Sequence, residues 1–143
     1  MKYILVLLVI VAMAFSCKTP QGQVASSNES QTASNDTVRI SSDKVEYEII
    51  IIEPGFNTWL VTTARPEGYY SQSFLENRNI QYVTAWNQRV MQANIYDPNL
   101  YEMQINYQQG IDYGYDVNYK LYNYFIYFQL KYKEQLTGYV PRI

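Results

Sequence analysis

Between Asp116 and Gly138, the residues Val117, Leu121, Tyr124, Phe125, Phe128, Tyr132 and Leu136 fall on one stripe, spanning roughly a third of a helical surface. Asn118, Lys120, Asn123, Lys131, Lys133 and Glu134 lie mainly off it. The stretch FIYFQLKYK within this window also alternates like a strand. A stripe sustained over the whole window outweighs that short alternation. The spacing predicts a helix with Asp116 as N-cap and Gly138 just past its end. Such a stripe is stable only when other elements cover it.

The cover is sought upstream. VEYEIIIIE is β-branched, with Val45, Tyr47, Ile49 and Ile51 on one face and Glu46 and Glu48 on the other, joined there by Ile50 and Ile52. It reads as a strand that becomes buried on both faces, ended by Pro54-Gly55. In FNTWLVTTARP, Phe56, Trp59, Leu60 and Thr63 recur at helical spacing. TWLVTT also suits a strand, and a short helix closed before Pro66 is the reading taken. In SFLENRNIQYVTAWNQRVM, Ser73 and Glu76 make a capping box, and Leu75, Tyr82, Val83, Trp86 and Val90 line one helical face. YDPN is a turn. LYEMQINYQ predicts a second strand, with Tyr101, Met103, Ile105 and Tyr107 on one face. QGIDYGY is a loop. Two strands and three helices give a small α+β domain over residues 44–143, large enough for one modest core.

The N-terminus reads differently. Lys2 precedes an apolar run from Ile4 to Ala14. As a helix this run is roughly 17 Å long, short of the ~30 Å hydrocarbon core, so residues 1–16 read as a secretory signal and not a span. Ala14-Phe15-Ser16-Cys17 closes the run and resembles a bacterial lipobox, departing from the usual Leu-Ala-Gly-Cys at Ala14 and Phe15. The resemblance implies that Cys17 is lipidated and becomes the mature N-terminus, a membrane anchor through two or more acyl chains. The alternative is an ordinary signal cleaved near Ser16. Lys18 follows the cysteine where some lipoproteins carry an inner-membrane retention aspartate. The expected location is therefore the outer membrane facing the periplasm, with the cell surface as the alternative. Residues 17–43 are rich in Ser, Asn, Gln and Thr, have no apolar periodicity and read as a flexible tether. Within it, Asp36-Thr37-Val38 resembles a short bacterial O-glycosylation acceptor pattern, with Thr37 the acceptor or a solvated linker residue.

Composition narrows the chemistry. The chain has no histidine and one cysteine, which removes the commonest general base, the commonest zinc ligand and any internal disulfide. Thirteen acidic residues balance eleven basic ones without a basic stripe, so no nucleic acid partner is expected. A carboxylate pair, Glu102 with Asp112 or Asp116, is the remaining catalytic candidate; otherwise these are solvated groups and a helix cap. DYGYD offers Asp112 and Asp116 to calcium but lacks the glycine and terminal glutamate of an EF-hand loop. No enzyme, metal or cofactor is expected. Sixteen tyrosines are abundant for a chain of 143 residues, and ten follow residue 100. Tyr113, Tyr115, Tyr119, Tyr122 and Tyr127 form a candidate exposed aromatic patch for a protein interface or for stacking on a glycan. Alternatively a second layer covers them and Asn, Gln and Lys satisfy their hydroxyls.

YEIIIIEPGFNTWL, YYSQSFLENRNIQYVTAWNQRV, QINYQQGIDYGYDVNYKLYNYF and the terminal VPR resemble an uncharacterised family of small Bacteroidota lipoproteins. The resemblance implies an envelope location and carries no known activity or catalytic residue. The expectation is a lipid-anchored envelope protein, a non-enzymatic interaction or structural module. A glycan- or peptidoglycan-binding module is the alternative, and a small carboxylate-based hydrolase the more distant one.

Overall fold

The computed structural model describes residues 37–42, 45 and 47–143, and the side chains from residue 40 onward except those of residues 51 and 52. The predicted signal 1–16, Cys17 and the tether as far as residue 36 lie outside the described residues. Five elements follow in order. They are β1 (Thr37–Ser42), β2 (Tyr47–Ile52), α1 (Phe56–Thr62), α2 (Gln72–Val90) and α3 (Tyr115–Tyr132). This is a small α+β fold of three helices and one two-stranded antiparallel sheet.

β1 was not expected: TVRISS was read as the end of the tether. It pairs with β2 in a register that sets Ile40 opposite Ile49 and Ser42 opposite Tyr47. Ile40 is fully buried, Ser41 is exposed, and the Ser42 hydroxyl donates to the Tyr113 carbonyl at 2.9 Å. Among the described side chains, buried Ile40 and the long-range hydrogen bond of Ser42 seat this strand on the helices. Over residues 47–50, β2 is covered on one face. Ile49 is partly buried, whereas Ile50 is half exposed and Glu48 exposed, which corrects the expectation of burial on both faces.

Gly55 joins the hairpin to α1. Its φ of +85° favours glycine, and a Cβ there would lie 2.9 Å from the Tyr127 hydroxyl. α1 then buries Phe56 completely and ends well before Pro66. α2 begins two residues earlier than the capping box predicts. Ser71, in extended conformation, accepts from the Phe74 N–H at 3.2 Å, while Ser73 sits inside the first turn. Glu76 accepts from Gln72 Nε2 at 2.8 Å instead of returning to an N-cap.

α3 is the centre of the fold. Its buried set runs around most of its circumference and includes Tyr119, Tyr122, Ile126, Asn118, Asn123 and Gln129 beside the predicted stripe. It packs against α2, α1 and β1. A helix enclosed on most sides needs no narrow apolar stripe, provided its polar groups are bonded. They are. Asn118 Oδ1 accepts from Tyr107 Oη at 2.7 Å and from Asn79 Nδ2 at 3.1 Å, and Asn118 Nδ2 donates to the Gly114 carbonyl. Asn123 and Gln129 donate to carbonyls one turn back. The ends differ from expectation. Gly114 precedes the helix, Asp116 lies in its first turn, and Lys133, with φ +56°, ends it five residues before Gly138. Leu136 is buried beyond the helix, where its N–H donates to Gln129 Oε1.

Residues 101–107 form no strand. Their alternation is real, since Tyr101, Ile105 and Tyr107 are buried, although Met103 is 72% exposed. The backbone is bonded by side chains of α2 instead. Asn87 Oδ1 accepts from the Ile105 N–H at 2.8 Å, Asn87 Nδ2 donates to the Ile105 carbonyl at 2.9 Å, and Trp86 Nε1 donates to the Met103 carbonyl at 2.9 Å.

Candidate functional site

The five tyrosines singled out from sequence do not share an exposed face. Tyr113, Tyr119 and Tyr122 are buried, and Tyr115 and Tyr127 are half-buried. A second layer covers them, but loop backbone, not Asn, Gln or Lys, bonds most of their hydroxyls. Tyr119 Oη donates to the Arg65 carbonyl at 2.7 Å and Tyr127 Oη to the Pro54 carbonyl at 2.6 Å. Tyr115 Oη donates to the Tyr70 carbonyl at 3.3 Å and accepts from the Gly68 N–H at 2.6 Å. Tyr113 Oη accepts from the Gln108 N–H at 3.0 Å. Irregular segments carry backbone groups that regular structure leaves unpaired, and phenol groups on a rigid helix supply the missing partners. Burial holds the phenols of Tyr119 and Tyr122 above their ordinary range.

The carboxylate candidates are spread out. Asp112 Oδ1 accepts from Gln72 Nε2 and the Gly114 N–H, both at 2.9 Å. Asp116 pairs with Lys120 at 2.7 Å, an i,i+4 surface bridge, and Glu102 is exposed. Among the described residues no three His, Cys, Asp or Glu side chains converge as metal ligands. Thr37 opens β1 with its backbone opposite Ile52. Its side chain and Cys17, the lipidation site expected from sequence, lie outside the described residues.

The sequence reading missed an internal carboxylate. Glu53 is 6% exposed, with Oε1 accepting from Lys131 Nζ at 2.6 Å and from Tyr132 Oη at 3.2 Å. Lys131 also donates to the Pro54 carbonyl at 3.1 Å. Burial alone would lower the Lys131 amine; the hydrogen bond and charge of Glu53 outweigh it and push the group up to about 12. Burial raises the Tyr124 phenol, and the Glu53 charge adds to it. The helical periodicity of residues 117–136 gives no signal for this pair, because Glu53 comes from the β2–α1 turn.

Two concavities flank this framework. The larger, about 610 Å³, lies beside β2 and residues 99–106, with Trp86, Tyr124 and Phe128 among its lining and Glu48, Glu53 and Glu102 as its acidic groups. Exposed Met103 and Ile50 also border it. The smaller, about 340 Å³, is lined by Tyr70, Phe74, Arg78 and Tyr82 together with α3 and C-terminal residues 138–140 and 142. Only Tyr122 in this lining was a sequence candidate. The local signal for this cavity is the i,i+4 spacing of Phe74 and Arg78, which a search for apolar stripes passes over. No described helix is long and apolar enough to cross a membrane.

A protein-family model described as a family of unknown function, DUF6146, matches residues 5–141. No curated protein and no solved structure matches the chain.

Proposed function

The chain belongs to this family of unknown function, and we propose that it is a lipid-anchored protein of the bacterial cell envelope whose folded part is a non-enzymatic interaction or structural module. The observation that carries the reading is the placement of Cys17 directly after an apolar run too short to span a bilayer. The family match begins at residue 5, within this apolar run. Lys18 after the cysteine favours the outer membrane, facing the periplasm.

The geometry supports a module over an enzyme through the way its polar groups are used. Asp112 and Glu53 each hold together two pieces of the chain, Asp116 pairs with Lys120 along α3, and the tyrosine hydroxyls fasten loops to α3. The groove beside β2, with aromatic floor, acidic groups and exposed Met103, has the mixture of apolar area and polar rim that suits a protein partner.

Two experiments test the reading. Wild-type chain is expected to incorporate labelled palmitate and partition into membranes, and Cys17→Ala to do neither. Equal labelling of both, or of neither, would overturn the anchor. Co-purification from crosslinked membranes is then expected to recover an envelope protein with wild type, and less of it with Met103→Glu in the groove wall. Equal recovery with both chains removes the groove from the reading.

A further inference from the structure

We propose that the concavity between α2, α3 and the C-terminal tail is a binding site for a carboxylate carried on a ring-sized body. The arginines whose side chains are described divide into two groups. Arg65 donates to the Ile143 carbonyl at 2.8 Å, and Arg89 donates to Tyr101, Glu134 and the Gln135 carbonyl. Arg78 and Arg142 have no hydrogen-bond acceptor and no carboxylate partner among the described residues, and both line this one cavity.

Arg78 is the centre of the site. Its guanidinium carbon lies 3.3 Å from the Tyr139 ring centroid and 5.3 Å from that of Phe74. Stacking engages the faces of the guanidinium and leaves its in-plane N–H fork unused. Nη1 is buried and has no hydrogen-bond partner. A buried cationic donor left unpaired is destabilising, and an incoming oxyanion removes that cost. The fork matches a planar carboxylate through two parallel N–H···O bonds, and Arg142 adds a second positive charge.

The walls select the rest of the ligand. Tyr70, Tyr82, Tyr122 and Ile126 supply ring faces and apolar surface. A volume of about 340 Å³ sits at the low end of the ~300–1,000 Å³ range of small-molecule pockets, room for about one ring with its carboxylate. A bare phosphate would meet the charge and leave these walls idle. The tail wall is the way in: Tyr139 and Val140 are 45% and 68% exposed and belong to no helix or strand. Because Nη1 is enclosed, contact with it requires this wall to yield.

The test titrates the full chain in detergent micelles with two acids, glucuronate and benzoate. They represent the sugar and aromatic sources of a ring-borne carboxylate. Glucose, benzyl alcohol and inorganic phosphate are the controls. The readout is the NMR resonances of the arginine Nε–H groups and of Tyr139. At least one acid is expected to saturate the shift of Arg78 and Tyr139, its uncharged counterpart to leave them unmoved, and phosphate to bind more weakly. Arg78→Gln is expected to weaken binding about tenfold or more, and Arg142→Gln, in the exposed tail, to weaken it by less. Arg78→Lys keeps the charge without the fork and is expected to weaken binding too; with Arg142→Gln it decides the case if Arg78→Gln does not fold. Saturation by neither acid, phosphate binding as tight as the better acid, or wild-type affinity in both Arg78→Lys and Arg142→Gln would overturn the proposal. Loss of lipidation leaves this titration unchanged, so the anchor and the site fail separately.

Discussion

Asn87 bonds both backbone polar groups of Ile105 with its one carboxamide, accepting from the N–H at 2.8 Å and donating to the carbonyl at 2.9 Å. This is the pairing a neighbouring strand would offer, supplied here by a helix side chain. It explains how Tyr101, Ile105 and Tyr107 stay buried without a sheet. Asn87→Ala orphans both groups and is expected to destabilise the fold by about 1–3 kcal/mol. Asn87→Asp keeps the acceptor for the N–H and is expected to retain part of that stability. Urea unfolding midpoints of the two variants check the ranking.

The approach of Tyr127 to Gly55 gives a second test. A Cβ at position 55 meets the tyrosine hydroxyl, and the φ of +85° strains any L side chain. Gly55→Ala is expected to cost about 1–3 kcal/mol. Tyr127→Phe removes the obstructing oxygen along with its bond to Pro54. In the double variant the two losses are therefore expected to sum to less than their separate values. Strict additivity in a double-mutant cycle would show that the close approach contributes nothing.

At the centre of the core, Tyr107 Oη, Asn118 and Asn79 form one buried network. Tyr107→Phe leaves Asn118 Oδ1 bonded to Asn79 Nδ2 and is expected to cost about 1 kcal/mol. Asn118→Ala removes the bonds of Tyr107 and Asn79 to Oδ1 and that of Nδ2 to Gly114, keeps only the Asn79 bond to the Asn118 carbonyl, and is expected to cost more than Tyr107→Phe, measured as loss of thermal midpoint.

Alkaline pH is expected to unfold the protein cooperatively. Burial raises the phenols of Tyr47, Tyr82, Tyr101, Tyr107, Tyr119, Tyr122, Tyr124 and Tyr132 above 10.0. The unfolded chain releases these protons first, so their contribution is fully present below about pH 10 and is lost as pH rises. Lys131, pushed up from 10.5 to about 12 despite its own burial, contributes in the same direction. Phenolate absorbance followed beside circular dichroism checks this. The buried group is expected to titrate in one step with the loss of helix.

The three helices are legible in the sequence because their periodicity is local. Leu75, Tyr82, Val83 and Trp86, and the stripe from Val117 to Phe128, are buried as their spacing predicts. What escapes sequence reading is the choice of distant partners. TVRISS places Ile40 in the core, and its strand depends on pairing with β2 and packing on α3. The alternation from Tyr101 to Tyr107 correctly signals burial and says nothing of Asn87. Tyrosine is the hardest case, since its ring suits a core and its hydroxyl suits a surface. Tyr119 and Tyr127 are settled by carbonyls of Arg65 and Pro54, 54 and 73 residues away in the chain. Arg78 shows its unpaired fork once Tyr139 and Arg142 are folded beside it.

Mass spectrometry of the N-terminal peptide of the mature protein, purified from membranes of its host, tests the central claim most directly. The account predicts a chain beginning at Cys17, with the thiol bearing a diacylglyceryl group. A chain that begins elsewhere, or that begins at Cys17 with a free thiol, would contradict it.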